Sequence, residues 1–210
     1  MTTATAMGHD AMPPPAARLI HPLWVRITHW INALAMIVMV MSGWQIYDAS
    51  PLFAFVFPET VTLGGWLAGA LLWHFAAMWV LTINGLVYLT FGFVTGRFRR
   101  KLLPIRPAEI VADIRDAFAF RLSYDDLSVY NAVQRLLYAG VILAGIVTVL
   151  SGLSIWKPVQ LQALTALFGG YDAARYVHFF AMTAIVGFLI VHVVLAVIVP
   201  KSLRAIIIGR

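Results

Sequence analysis

The sequence contains no cysteine and few charged residues. Of its 210 residues, 61% are hydrophobic and 11% are charged, whereas globular proteins average about 25% charged residues. Without cysteine the chain can form neither disulfides nor thiolate-ligated iron–sulfur clusters, and it cannot attach a haem through thioether bonds. The shortage of charge and a mean hydropathy of +0.87 exclude an ordinary soluble domain and indicate an integral membrane protein.

Acidic residues are also scarce. The chain has nine Asp and Glu and fifteen Lys and Arg, which gives a formal net charge of +6. A basic balance can indicate nucleic-acid binding, but these basic residues flank apolar segments, so a lipid bilayer rather than nucleic acid is the expected partner. The N-terminus lacks the basic segment followed by an apolar one that forms a signal peptide. We expect residues 1–18 to be a disordered cytoplasmic tail and residues 19–210 to form one transmembrane domain.

Four apolar segments are long enough to cross a bilayer, which takes about 20 residues per helix. They cover approximately residues 27–47, 63–94, 136–156 and 177–199. Thirteen of the fifteen Lys and Arg lie on one side of these spans, and only Lys157 and Arg175 lie on the other. The positive-inside rule therefore places both termini in the cytoplasm. The sequence predicts an all-α, multi-pass four-helix bundle in the membrane.

The loop between spans two and three contains a further predicted helix, which starts at Pro107 and runs to about residue 120. Ile110, Val111, Ile114 and Phe118 would share one face of it. Such a helix either lies on the membrane surface or is an ordinary solvated loop helix.

Four of the six histidines lie within the predicted spans. An ionisable residue in a membrane is costly and indicates a functional site. His29 and His192 lie near the cytoplasmic side of the membrane, whereas His74 and His178 lie in the outer half. His178 and His192 are fourteen positions apart, which puts them within about 40° on one helix face and about 21 Å apart along it. The histidines therefore form an inner pair and an outer pair.

Two imidazoles at each level favour two b haems over other metals. No cysteine and no well-placed carboxylate completes a tetrahedral zinc or copper site. Two imidazoles instead match six-coordinate haem iron, whose other four ligands come from the porphyrin. Because this leaves no open position at the iron, it favours electron transfer over oxygen chemistry. The alternative is that the histidines relay protons in a non-redox transporter, which would be colourless when purified.

Several neighbouring residues are candidates for haem contacts. Gly43 follows His29 by fourteen residues, and Gly152 lies at matching depth in span three; each follows a serine. These glycines either clear space for a flat macrocycle or allow close helix packing. Arg26, one turn before His29, would pair with a haem propionate or with lipid phosphate. His21 is either an interfacial residue or a propionate contact, and we assign it no role.

These features resemble the bacterial di-haem cytochrome b family that includes the membrane subunits of nickel–iron hydrogenase and formate dehydrogenase. The resemblance extends from about residue 19 over nearly the whole chain. It rests on His21-Pro22, Arg26, His29-Trp30, His74, the segment 130–135 (YNAVQR), and His178 with His192. Within that family they resemble the thiosulfate-reductase-type branch, which is found beside molybdopterin oxidoreductases.

The resemblance implies ligation by His29 with His192 and by His74 with His178, in agreement with the depth argument. It also implies a quinone site near the inner haem, with Asn131 and Gln134 as hydrogen-bonding residues; alternatively, these two polar residues simply mark the start of span three. The expected protein is an electron-transfer subunit in a bacterial inner membrane. It would relay electrons between the quinone pool and a periplasmic or membrane-anchored redox subunit of molybdopterin-oxidoreductase or hydrogenase type. A stand-alone quinone-linked oxidoreductase acting on a small oxidant such as superoxide is the alternative, and a basic funnel at the outer face would favour it.

Overall fold

The computed structural model describes residues 19–119 and 129–209, with the side chains of 117 and 118 excepted. Within these ranges all regular secondary structure is helical, which confirms the predicted all-α class. In chain order the α-helices are α1 (Leu23–Ala49), α2 (Leu67–Val94), α3 (Arg97–Leu102), α4 (Pro107–Phe118), α5 (Ala132–Trp156), α6 (Gln162–Leu167), α7 (Tyr171–Ile198) and α8 (Pro200–Ile208). The predicted tail, residues 1–18, lies outside the described residues.

Four of these helices, α1, α2, α5 and α7, are long and apolar enough to cross a membrane. They form two antiparallel hairpins, because α1 packs along α2 and α5 packs along α7. The backbones of the two hairpins approach each other at few points within the described residues, and mainly through α3 and α4, which pack on α5. A gap therefore runs between the hairpins through the membrane-spanning part of the bundle.

The helix ends differ from the predicted span limits. α1 and α5 begin four residues before the predicted spans and α7 begins six residues before, because hydropathy detects the lipid-facing part of a helix and misses its polar extension. α2 instead begins four residues after the predicted start. Gly64 and Gly65 precede it with φ of +116° and +72°, and a Cβ on Gly64 would lie 2.3 Å from the backbone nitrogen of Ala70.

The start of α5 is fixed by contacts from two directions. Asn131 and Gln134 form a capping box, in which each side-chain oxygen accepts a backbone N–H from the other residue. Asp113 of α4 also accepts the N–H groups of Ala132 and Val133, at 2.6 and 3.2 Å. A carboxylate is favourable at a helix N-terminus, where backbone N–H groups lack partners. These bonds hold the loop helix α4 against the membrane span.

The C-terminal helix α8 returns to the start of the chain. The Arg26 guanidinium donates to the carbonyl of Ile207, and the Ile20 N–H donates to the carbonyl of Gly209 at 2.8 Å. The two ends of the described chain are thus joined beside the predicted cytoplasmic side of α1. Neither α8 nor the short helix α6 was predicted from the sequence.

Candidate haem site

The structure brings together the inner pair predicted from the sequence. His29 of α1 faces His192 of α7 across the gap between the hairpins, with ring centroids 6.0 Å apart. Phe188 stacks on the His192 ring at 5.4 Å, and Trp30 meets the His29 ring edge-on at 5.3 Å. Aromatic groups thus flank the inner pair.

The outer pair has the same arrangement nearer the opposite membrane face. His74 of α2 faces His178 of α7, with ring centroids 6.5 Å apart. Helix α7 therefore supplies one imidazole at each level. The other imidazole comes from α1 in the inner pair and from α2 in the outer pair.

The donor set and its spacing fit a bis-imidazole haem. An imidazole nitrogen binds a first-row metal at about 2 Å and lies roughly 1.1 Å from the ring centroid, so two imidazoles on opposite sides of one metal have centroids about 6 Å apart. Both measured separations agree with this value. Among the described residues, no group of three or more His, Cys, Asp or Glu could hold a metal ion by itself. Each histidine pair thus suits an iron whose remaining ligands belong to a macrocycle.

The sequence comparisons agree with this geometry. The profile of the prokaryotic cytochrome b561 family matches residues 20–209. The chain belongs to this family. It is also 54% identical over 191 residues to the putative protein-methionine-sulfoxide reductase subunit YedZ1 of Azospira oryzae, covering 91% of this chain and 96% of the relative. The protein is therefore a haem b electron-transfer subunit and a multi-pass protein of a bacterial inner membrane.

The two glycines of the cytochrome lie against the outer histidines. A Cβ on Gly43 would lie 3.4 Å from Cε1 of His74, and a Cβ on Gly152 would lie 3.1 Å from Cε1 of His178. The nearest atoms are thus those of the imidazoles, and the glycines let each histidine approach the neighbouring helix of its own hairpin. Clearance of the macrocycle by these glycines stays a prediction.

Two serines beside the outer pair were missed as functional candidates. The fully buried Ser42 and Ser151 have Oγ at 3.0 Å from Nδ1 of His74 and at 3.2 Å from Nδ1 of His178. The available sign of them was the Ser-Gly pair that occurs in both spans. We interpreted this pair as marking the glycines alone, because a serine inside a span ordinarily hydrogen-bonds to its own helix.

The remaining site candidates lie on the predicted cytoplasmic side. Arg26 bonds the C-terminal helix, as described above, and its propionate role stays a prediction. Asn131 and Gln134 use their amide oxygens in the capping box, so the structure gives them a helix-capping role, and their quinone role also stays a prediction.

His21, which was left without a role, lies beside Arg97, and Tyr130 interacts with the same arginine. Its Nδ1 is 3.3 Å from a guanidinium nitrogen of Arg97. Burial and the charge of Arg97 lower the pKa of His21 to about 4. Burial raises the pKa of Tyr130, although the same arginine opposes that shift. His21 is therefore neutral at physiological pH.

Proposed function

We propose that the cytochrome binds two haems b and relays electrons between the quinone pool and a periplasmic redox partner. His29 and His192 would ligate the inner haem, and His74 and His178 the outer haem. The observation that carries the proposal is the pair of facing imidazoles at each of two levels, 6.0 and 6.5 Å apart. The haems supply the redox chemistry, and the chain's residues hold them at fixed levels.

The choice of partner is supported by the Azospira relative, whose name describes it as a subunit of a putative protein-methionine-sulfoxide reductase. We therefore take the partner of this chain to be a protein-methionine-sulfoxide reductase, which is narrower than the molybdopterin-oxidoreductase or hydrogenase class expected from the sequence. Reduction of a sulfoxide to a thioether and water takes up two electrons and two protons. Oxidation of one quinol to quinone releases the same numbers of electrons and protons. Because the partner would be the electron acceptor, electrons would flow outward from the quinol to it.

The superoxide alternative needs accessible positive charge at the outer face. The two basic residues available there are engaged within the described structure. Lys157 lies over the ring of Trp156 at 4.8 Å, and Arg175 donates to the carbonyl and hydroxyl of Ser50. Two such residues do not form the basic funnel that this alternative predicts. Family membership speaks against the non-redox transporter.

The haem assignment is tested by pyridine haemochrome analysis of the purified protein. We expect two haems b per chain. The variants H29A and H192A should each lose one haem, H74A and H178A the other, and the double variant H29A/H74A both. H21A serves as the matched control and should keep both haems. A colourless protein, or a wild type with one haem, contradicts the assignment.

The partner assignment is tested on the native complex isolated from membranes. After the haems have been reduced with a quinol, adding a methionine sulfoxide should reoxidise them, seen as the loss of their reduced absorption bands. If the co-purifying subunit reoxidises the haems with a different substrate, the sulfoxide assignment is wrong while the haem assignment stands.

A further inference from the structure

The outer histidine of the first hairpin is held by a small group of atoms on α1. The hydroxyl of Ser42 donates to the carbonyl of Val38, one turn earlier, at 2.6 Å. Its proton is therefore committed to the helix, and its oxygen is left to accept the Nδ1–H of His74 at 3.0 Å. The same hydroxyl lies 3.3 Å from the carbonyl of Met39. Gly43 leaves the room that this approach requires.

The second hairpin repeats the arrangement residue for residue on α5. The hydroxyl of Ser151 donates to the carbonyl of Val147 at 2.7 Å and accepts from Nδ1 of His178 at 3.2 Å. The carbonyl of Thr148 lies 3.0 Å from the same nitrogen, and Gly152 provides the space. In each hairpin a serine that donates to its own helix, and the glycine that follows it, lie against one imidazole.

This arrangement fixes the tautomer of both outer histidines. Each acceptor set holds the proton on Nδ1, so Nε2 carries the lone pair that a metal requires. The inner histidines differ. Within residues 19–119 and 129–209, no hydrogen bond to a ring nitrogen of His29 or His192 is present, and their neighbours are the rings of Trp30 and Phe188.

We propose that Ser42 and Ser151 are positioning residues that tune the outer haem, a role that rests on the haem ligation proposed above. A hydrogen bond accepted from Nδ1–H makes an imidazole a stronger donor. A stronger donor stabilises ferric iron more than ferrous iron, so the outer haem has a lower reduction potential than it would without the serines. Because both histidines of the outer pair make this bond, and neither inner histidine does so within the described residues, the effect is specific to the outer haem.

The experiment is a potentiometric titration of purified holoprotein, followed by optical and electron paramagnetic resonance spectra. The wild type should titrate as two components. The outer haem is the component that is missing from H74A. S42A and S151A should each shift this component upward, the double variant should shift it further, and the other component should stay in place. S154A is the matched control, because Ser154 is also fully buried on α5 and donates to the Leu150 carbonyl of its own helix at 3.0 Å. It should shift neither component.

The near-isosteric variants S42C and S151C separate hydrogen bonding from packing. A thiol fills the site but is a weak acceptor, so these variants should shift the same component in the same direction as the alanine variants. Unchanged potentials in the serine variants, a shift of the component that H74A retains, or a shift confined to the alanine variants overturns the inference. Each of these results leaves two haems per chain in place. A wild-type protein with fewer than two haems per chain would contradict the proposed function instead.

Discussion

The two glycines beside the outer histidines differ in the room they leave. A Cβ at position 152 would lie 3.1 Å from the imidazole, whereas one at position 43 would lie at 3.4 Å, which is ordinary van der Waals contact. We therefore predict that G152A displaces His178 and lowers the content of outer haem, at a cost of about 1–3 kcal/mol in stability. G43A should have a milder effect.

The measurement for this substitution is the haem-to-protein ratio, combined with thermal unfolding in detergent. G187A is the control, since Gly187 is exposed on α7 and a Cβ there would meet nothing within 4 Å. Equal haem loss in G43A and G152A would contradict the dependence on distance.

His21 gives the cytochrome a predicted pH dependence. The pKa of His21 in the folded protein is about 4, below the value of about 6.5 for an unfolded chain. The unfolded state therefore binds the proton first, and the stability contributed by neutral His21 is lost as the pH falls from about 6.5 towards 4. The melting temperature of the wild type relative to H21Q should fall over this range. A constant difference between the two proteins would show that His21 does not titrate in this way.

Among single residues, the sequence was most informative about the histidines. An imidazole in an apolar span is conspicuous, and the spacing along one helix is enough to sort the four into levels. The serines were not predictable in the same way, because their role depends on which helix lies opposite. That contact joins residues 32 positions apart in one hairpin and 27 in the other.

At the scale of elements, α5 depends on a cap from another helix. Removing the Asp113 carboxylate leaves the N–H groups of Ala132 and Val133 without this acceptor. D113A should therefore destabilise the protein by about 0.5–2 kcal/mol, the usual cost of losing an N-cap. The measurement is the melting temperature in detergent. D116A, which removes an exposed carboxylate from the same helix, should leave the melting temperature unchanged.

The contact between α1 and α2 includes a buried amide. Nδ2 of Asn84 donates to the carbonyl of Thr28 at 2.8 Å and to Oδ1 of Asn32 at 2.7 Å, one residue before and three after the inner histidine His29. We predict that N84L costs about 0.6–1.7 kcal/mol, the range for hydrogen bonds between membrane helices. It should also reduce inner haem content more than outer haem content.

The comparison for N84L is T183V, because the Thr183 hydroxyl donates to the Phe179 carbonyl of its own helix. Haem content and the melting temperature should change less in T183V. If N84L affects both haems equally, the amide supports the bundle as a whole rather than the inner site.

The number of membrane-spanning helices was predictable from hydropathy, whereas helix ends were not. The start of α5 is set by its own capping box and by Asp113, nineteen residues earlier in the chain, and a hydropathy window detects neither. The start of α2 is set by two glycines with positive φ.

At the scale of the whole molecule, four spans and their orientation could be argued from apolar length and the distribution of Lys and Arg. The grouping of the spans could not. Depth alone left open whether the helices pack evenly around a common axis. The structure has two hairpins whose backbones come close at few points, and aromatic side chains such as Tyr47 and Phe179 join them at the outer end. This grouping explains why α7 carries two histidines: it is the helix that faces both α1 and α2 across the gap.

The same grouping has a consequence for biosynthesis. The ribosome completes the first hairpin, with His29 and His74, before α7 supplies the second imidazole of either pair. In the proposed ligation, neither iron could receive both of its histidines until the last span has been inserted, and each haem would then join the two hairpins. The amount of this cytochrome in the membrane should therefore track the cell's supply of haem. Immunoblots of haem-starved cells should show the chain degraded, and the variant H29A/H74A should be degraded even when haem is plentiful.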